Sequence, residues 1–183
     1  MSGMGHRHYV ILLRAIGPVT HRQMSMATWR EAAESVEFLN VATLGNTGNM
    51  LADFAGTAAV AAKTMTPLLR GFGLGENVFP IVRPVSVLKT LARAIERDVA
   101  DPSQAAVYFF AQTRPEFSWL QTHDGPERIR VVDNHLVVEF TRNATNSGRL
   151  MRQIDKNCGV STARNWNTVR GLAERAAARR KKS

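Results

Sequence analysis

The chain is short of several things at once. It holds a single cysteine, Cys158, in 183 residues, which excludes an intrachain disulfide and any cysteine zinc cluster. No apolar run approaches the roughly eighteen residues that a membrane-spanning helix needs. Aromatic residues make up only 7%. Tyr9, Phe54 and Phe79 are scattered, so the first strands offer no aromatic pair on which RNA bases would stack. Acidic residues are outnumbered 15 to 24 by lysine and arginine. There is no His-Glu-x-x-His and no Gly-x-Ser-x-Gly, so neither a zincin helix nor a nucleophile elbow is encoded.

What is present describes an ordinary globular chain. Hydrophobic residues make up 44% and charged residues 21%, outside the ranges of disordered or membrane proteins. The length suits one compact domain or two small ones of about 90 residues each. The net charge of +9 is unevenly spread. Arg170, Arg175, Arg179, Arg180, Lys181 and Lys182 stand against Glu174 in the last fourteen residues. This end reads as a helix fraying into a solvated basic terminus, with cations at the negative end of the helix dipole. At the other end, Arg14 interrupts the apolar run Tyr9–Leu13 after five residues, too short for a signal-peptide core. The lone thiol and the lack of an export signal lead us to expect a cytoplasmic protein.

Apolar Tyr9-Val10-Ile11-Leu12 predicts a strand over 9–14, ended by Gly17-Pro18. A helix over 25–37 follows, with Ser25 as N-cap and Met26, Trp29, Ala33 and Val36 along one face. Strands at 40–44 and 49–54 flank Gly45-Asn46-Thr47-Gly48 as a hairpin. An alanine-rich helix over 56–70 stops at Gly71, Gly73 and Gly75. A strand at 78–82 contains Pro80, which argues for a sheet edge or a bulge. Ser86 opens a helix to about residue 97. The order β-α-β-β-α-β is the ferredoxin-like arrangement. After Asp101-Pro102-Ser103 come a strand from Ala105, a hairpin over Asp133-Asn134, and helices near 148–157 and 167–180. The expected fold is therefore α+β, a ferredoxin-like N-terminal half with a smaller α+β C-terminal half. The expected boundaries are 8–100, 101–173 and a basic tail at 174–183. No internal repeat is visible.

Several motifs invite a chemical reading that their context weakens. Gly71-Phe72-Gly73-Leu74-Gly75 follows a helix and precedes a strand, the reverse of a dinucleotide loop, and reads as a helix C-cap. His6-x-His8 reads as part of an exposed terminus with no third metal ligand near in sequence. Cys158 reads as a half-buried thiol rather than a nucleophile. Asn143-Ala144-Thr145 matches a glycosylation acceptor, without consequence in a cytosolic protein. In Ser161–Thr168, Asn165 or Asn167 would cap the last helix and Trp166 would be buried at its start. Arg164 there would either bind a carboxylate or phosphate or tie the last helix to the sheet.

Arg164-Asn165-Trp166-Asn167-Thr168-Val169, after Ser161-Thr162, resembles the closing signature of the domain-of-unknown-function family numbered 1697. Tyr9-Val10-Ile11-Leu12-Leu13-Arg14 is similar to that family's opening strand. Trp29 and its helix, Thr47-Gly48-Asn49, and Gly71-Phe72 through Val82-Arg83 also fit in order and spacing. The resemblance covers roughly residues 8 to 173. It implies a soluble bacterial α+β protein with a ferredoxin-like N-terminal half, and it brings no established activity or cofactor. Three departures stand out. The family's glycine after the opening arginine is Ala15, its Asn-Val-Gly-Gly loop is Gly17-Pro18-Val19-Thr20, and its glutamine before Ser-Gly-Asn is Asn46.

Three functional readings stay open. Arg14, Thr47, Gly48, Asn49, Arg164, Asn165, Asn167 and Thr168 would, if they converge between the halves, suit a small anionic ligand bearing phosphate or carboxylate. Alternatively, Arg175, Arg179, Arg180, Lys181 and Lys182 would give weak, sequence-tolerant attachment to nucleic acid. The third reading is an enzyme acting on an anionic metabolite, although no general base or metal set is evident. No metal, cofactor or membrane partner is implied, and the sequence does not fix an oligomeric state.

Overall fold

The computed structural model describes residues 5–141 and 148–180. The chain divides into two compact units, Met1–Ser86 together with Arg175–Ser183, and Val87–Glu174. Each is built on one antiparallel four-stranded sheet.

The first unit runs β1 (Arg7–Leu13), a single turn α1 (Pro18–His21), α2 (Met26–Ser35), β2 (Leu39–Thr43), β3 (Asn49–Phe54), α3 (Ala58–Gly71) and β4 (Pro80–Pro84). Its sheet order, β2-β3-β1-β4, is that of the ferredoxin-like fold. Two hydroxyls start the helices: Ser25 accepts from the Thr28 amide and Thr57 from the Val60 amide. Trp29 and Ala33 from α2 and Ala61, Met65 and Leu69 from α3, all at helical spacing, are buried with Tyr9, Ile11 and Leu13. Val10 and Leu12 on the other face of β1 are buried as well. Burial on both faces explains why this strand reads as an unbroken apolar run rather than an alternation.

The second unit contains α4 (Ser86–Asp98, of which Ser86 clusters with the first unit), β5 (Ala105–Phe110), β6 (Arg128–Val132), β7 (His135–Glu139), α5 (Gly148–Cys158) and β8 (Ser161–Asn165). The last helix, α6 (Trp166–Arg180), follows at once. The sheet order is β6-β7-β5-β8. With β5 to β8 read as first to fourth strands, this is the same order as in the first unit. The helix between the first two strands is replaced by a 3-10 turn at Ser118–Thr122, and each sheet is followed by one long helix. A topological repeat therefore exists where the sequence shows none. Tyr108, Phe110, Leu136 and Val138 pack with Leu150, Ile154 and Cys158 from α5.

The structure differs from the sequence reading at four places. The strand expected at 78–82 begins at Pro80, because Val78 is held in a turn by its bond to the Gly75 carbonyl. It does lie at a sheet edge. Ser161–Asn165, to which the sequence reading assigned no strand, is strand β8 paired along β5 from Phe110 to Ala106. Cys158 is fully buried rather than half-buried. It donates to the Glu116 carbonyl and accepts from the Trp119 indole, and burial pushes the thiol above its ordinary value, which suppresses nucleophilicity. The basic end is helical to Arg180 as expected, but Arg175 and Arg179 are bonded to strand β2 rather than solvated. Lys181, Lys182 and the Asn143-Ala144-Thr145 motif lie outside the described residues.

Two backbone positions at the end of β1 carry opposite consequences. Ala15 adopts φ 62°, a left-handed conformation that costs an L-residue about 1–2 kcal/mol. Gly48 has φ 77°, and a Cβ there would stand 2.6 Å from the Leu13 Cβ, while its carbonyl accepts from the Leu13 amide at 2.7 Å. Ala15→Gly is expected to raise stability by about 0.5–1 kcal/mol, after allowance for the greater freedom of unfolded glycine. Gly48→Ala is expected to lower it by about 2 kcal/mol or more. Urea unfolding of the two variants beside the parent chain measures both.

Candidate functional site

The antiparallel register sets His8 of β1 directly opposite Asp53 of β3, so the two side chains share a face. That face is opposite the one on which Tyr9, Ala52 and Phe54 join the core. His8 Nδ1 lies 2.7 Å from Asp53 Oδ1. On the neighbouring strand the β2–β3 pairing slips between Leu39 and Ala42, and Asn40 takes φ 50°. Such irregularities re-aim a side chain, and here the Asn40 amide donates to Asp53 Oδ2 at 2.7 Å. The third partner comes from α6. Arg179 donates to Asp53 Oδ1 at 3.3 Å and to the Asn40 carbonyl at 2.6 Å. One turn earlier, Arg175 donates to the Thr43 carbonyl at 3.0 Å. Four-residue spacing places both guanidiniums on one side of the helix, against the carbonyls of an edge strand.

Asp53 is thus a buried carboxylate with three cross-element donors. Burial by itself raises its pKa. The hydrogen bonds from Asn40 and His8 and the charge of Arg179 outweigh burial and hold it below the ordinary value. These groups line an open pocket of about 270 Å³ together with Val85, Ala176 and Arg180. Its fixed charges are one carboxylate and two guanidiniums. Arg179 is committed to Asp53, whereas Arg180 makes no hydrogen bond or ion pair among the described residues. The His8 side chain is half exposed and the Asp53 side chain only 9%, so the imidazole is the solvent-facing member of the pair.

The residues singled out from the sequence serve chiefly as local ties. Arg14, half-buried, donates to the Asn77 carbonyl at 3.3 Å. The Asn49 amide bonds the Leu44 carbonyl and the Thr47 hydroxyl, both at 2.9 Å, which shapes the hairpin around Gly48. Arg14 and Thr47–Asn49 are neighbours at one end of the first sheet, since Leu13 bonds Gly48. A wider depression there, about 640 Å³, is lined by Ile16, Gly17, Pro18, His21, Ser25, Met26, Asn46 and Thr47. It carries no permanently charged side chain, so we weigh it below the smaller pocket. In the second unit Arg164 is buried on the face of β8 that meets Val107, and it donates to the Thr162 hydroxyl at 2.6 Å and the Ala163 carbonyl at 3.0 Å. Burial brings its pKa down to about 10. Asn165 caps α6 through the Thr168 amide; Asn167 is exposed and Thr168 half-buried.

Sequence reasoning missed His8 and Asp53. They stand 45 residues apart, and only the pairing register joins them. It named Arg179 and Arg180, but as a tail. The glycine loop after α3 is a helix cap, with Gly73 at φ 78° and the carbonyls of Leu74, Gly75 and Val78 turned to the Arg70 guanidinium. Among the described residues no group of three or more His, Cys, Asp or Glu is placed to hold a metal, and no helix is long and apolar enough to cross a membrane.

Comparison with known proteins is consistent with this fold. The family model described as "Protein of unknown function (DUF1697)" matches residues 6–136. No curated protein matches. Among solved structures, the conserved bacterial protein SP0830 from Streptococcus pneumoniae is similar, with a TM-score of 0.69 at 14% identity, over 93% of this chain and 98% of that one. At that identity the likeness concerns fold alone.

The depressed Asp53 value has a stability consequence with a definite sign. A carboxyl whose folded pKa lies below its unfolded one stabilises the fold above the unfolded value, near 3.8, and loses that contribution as pH falls through the folded value. Asp53→Asn is expected to cost about 1–3 kcal/mol at neutral pH. The gap between parent and variant should narrow progressively as pH falls below about 5 and through the lowered folded value. Urea unfolding at a series of pH values reads this, and a gap independent of pH would contradict it.

Proposed function

We propose that this chain, which belongs to the DUF1697 family of proteins of unknown function, binds a small anionic ligand in the pocket lined by His8, Asn40, Asp53, Arg179 and Arg180. The observation that carries the reading is the charge of that pocket: two guanidiniums against a single carboxylate. Asp53 is already satisfied by three donors. It anchors Arg179, and Arg180 is left as the cation with capacity for a ligand. An arginine at a concave, partly apolar site is the usual means of holding phosphate or carboxylate. The volume falls just under the roughly 300–1,000 Å³ of drug-sized pockets, which suits a ligand of few heavy atoms.

This reading keeps the ligand class expected from the sequence and moves its seat. Arg14 and Arg164 hold backbone carbonyls and a hydroxyl, roles that organise loops and strands. Attachment to nucleic acid through the basic end draws less support, because Arg175 and Arg179 are spent on strand carbonyls and Asp53.

The test is calorimetric titration of the full chain with inorganic phosphate, sulfate and citrate at low salt. Arg180→Ala should weaken the anion that binds by about tenfold or more, the effect of losing one charge-assisted hydrogen bond, while Arg14→Ala leaves it unchanged. The reverse ranking would move the site to the end of β1, and no binding by any of the three would reject the proposal.

A further inference from the structure

The pocket does more than offer positive charge, because the bonds around Asp53 fix which atoms its neighbours have left. An ionised carboxylate only accepts hydrogen bonds. The His8 nitrogen 2.7 Å from Asp53 Oδ1 is Nδ1, so Nδ1 must carry the hydrogen. A neutral imidazole has one N–H, and His8 Nε2 is then a lone-pair acceptor. Nε2 has no protein partner among the described residues. The same reasoning applies to Asn40. Its Nδ2 is given to Asp53 Oδ2 at 2.7 Å, so the oxygen Oδ1 remains, also without a protein partner among the described residues. Asp53 is held ionised by Asn40, His8 and Arg179 against the cost of its burial, and this keeps both orientations in force. The charged groups beside His8 are Asp53, Arg179 and Arg180.

A pocket with a free guanidinium and two acceptors presents a mixed demand. A fully deprotonated oxyanion satisfies the guanidinium but sets its own lone pairs against Nε2 and Oδ1. An oxyanion that keeps a hydroxyl satisfies both, charge to Arg180 and O–H to an acceptor. Resting on the anion reading above, we infer that the pocket selects oxyanions that retain a hydroxyl donor, hydrogen phosphate being the simplest, and discriminates against sulfate of equal shape and charge. Asp53 acts as a positioning residue that sets the His8 tautomer, and His8 is the specificity-determining residue.

The experiment is titration of the full chain with inorganic phosphate and with sulfate at about pH 8 and matched ionic strength. Near that pH both anions are mainly dianions, of which only phosphate bears a proton. Phosphate should bind about tenfold tighter or more, the scale of discrimination when a polar group is left unmatched. His8→Phe should remove most of the preference, leaving what Asn40 Oδ1 supplies, and Asp53→Asn should shrink it by releasing the imidazole to its other tautomer. Long-range ¹⁵N–¹H correlation of the His8 ring in the unaltered chain gives a readout free of folding defects. The Nδ1–H tautomer is expected, and the Nε2–H tautomer overturns the inference. Equal binding of both anions, abolished for both by Arg180→Ala, would leave the anion reading standing and overturn the selectivity. Tighter binding of sulfate would do the same; binding of neither anion would overturn the selectivity, and the anion reading would fall with it if citrate also failed to bind.

Discussion

A carboxylate buried in a sheet is a demand that the surrounding chain must meet. Asp53 sits in a strand whose every residue is buried, where an unpartnered charge would cost several kcal/mol. Its donors come from three separate elements: His8 from β1, Asn40 from β2 and Arg179 from α6. None of them is a sequence neighbour. Through this one group the first strand, the edge strand and the last helix are held to a common geometry. The left-handed backbone at Asn40 makes sense in this light, since a regular β2 would not turn that amide toward Asp53. Asparagine tolerates the conformation better than most residues.

The last helix meets a second constraint at the same place. An edge strand exposes carbonyls that invite pairing with other chains. In β2, the Thr43 and Asn40 carbonyls accept from Arg175 and Arg179. The basic run at the end of the chain thus has a structural use before any ligand is considered. Composition alone suggests a solvated tail, because alanine and arginine in alternation carry no strong apolar stripe. Among the described residues 174–180 only Ala176 is buried, too little to announce docking. What ties down the basic end of the helix is hydrogen bonding between guanidinium groups and backbone, which hydrophobic periodicity does not report.

The same division between apolar and polar signals explains how far the sequence could be read. The elements of the first unit and the β6–β7 hairpin of the second were legible because they are marked by apolar runs and by turns with a steric requirement, Gly48 in the one and the Asp133–Asn134 pair, with φ 46° and 60°, in the other. Ser161–Asn165 was not. Its residues are small or polar, and it is a strand because β5 beside it supplies five paired positions; tertiary pairing overrides weak propensity. The α+β class and the ferredoxin-like half follow from element order alone, whereas the repeat of strand order in the second unit does not. A 3-10 turn stands there in place of a helix, so no shared periodicity survives to be noticed. His8 was the least legible of all. Beside His6, near the start of the chain, it resembles an exposed histidine, and its exposure is indeed half. What distinguishes it is the residue across the ladder.

The polar pair of the first sheet depends on register rather than on any motif. A one-residue slip of β1 against β3 would turn His8 away from Asp53 and send Tyr9 to the opposite face. Tyr9 is fixed in turn by its hydroxyl, which donates to the Gly56 carbonyl at 2.6 Å, and by Ile11 and Leu13, which alternate with it into the core. The apolar face thus sets the register, and the register sets the polar pair. Asp53 then determines which nitrogen of His8 is left for a ligand, and Asn40 follows the same logic with its oxygen. Each step passes from packing to hydrogen bonding to the atoms a ligand would meet. The chemistry of the pocket is a consequence of the core beneath it.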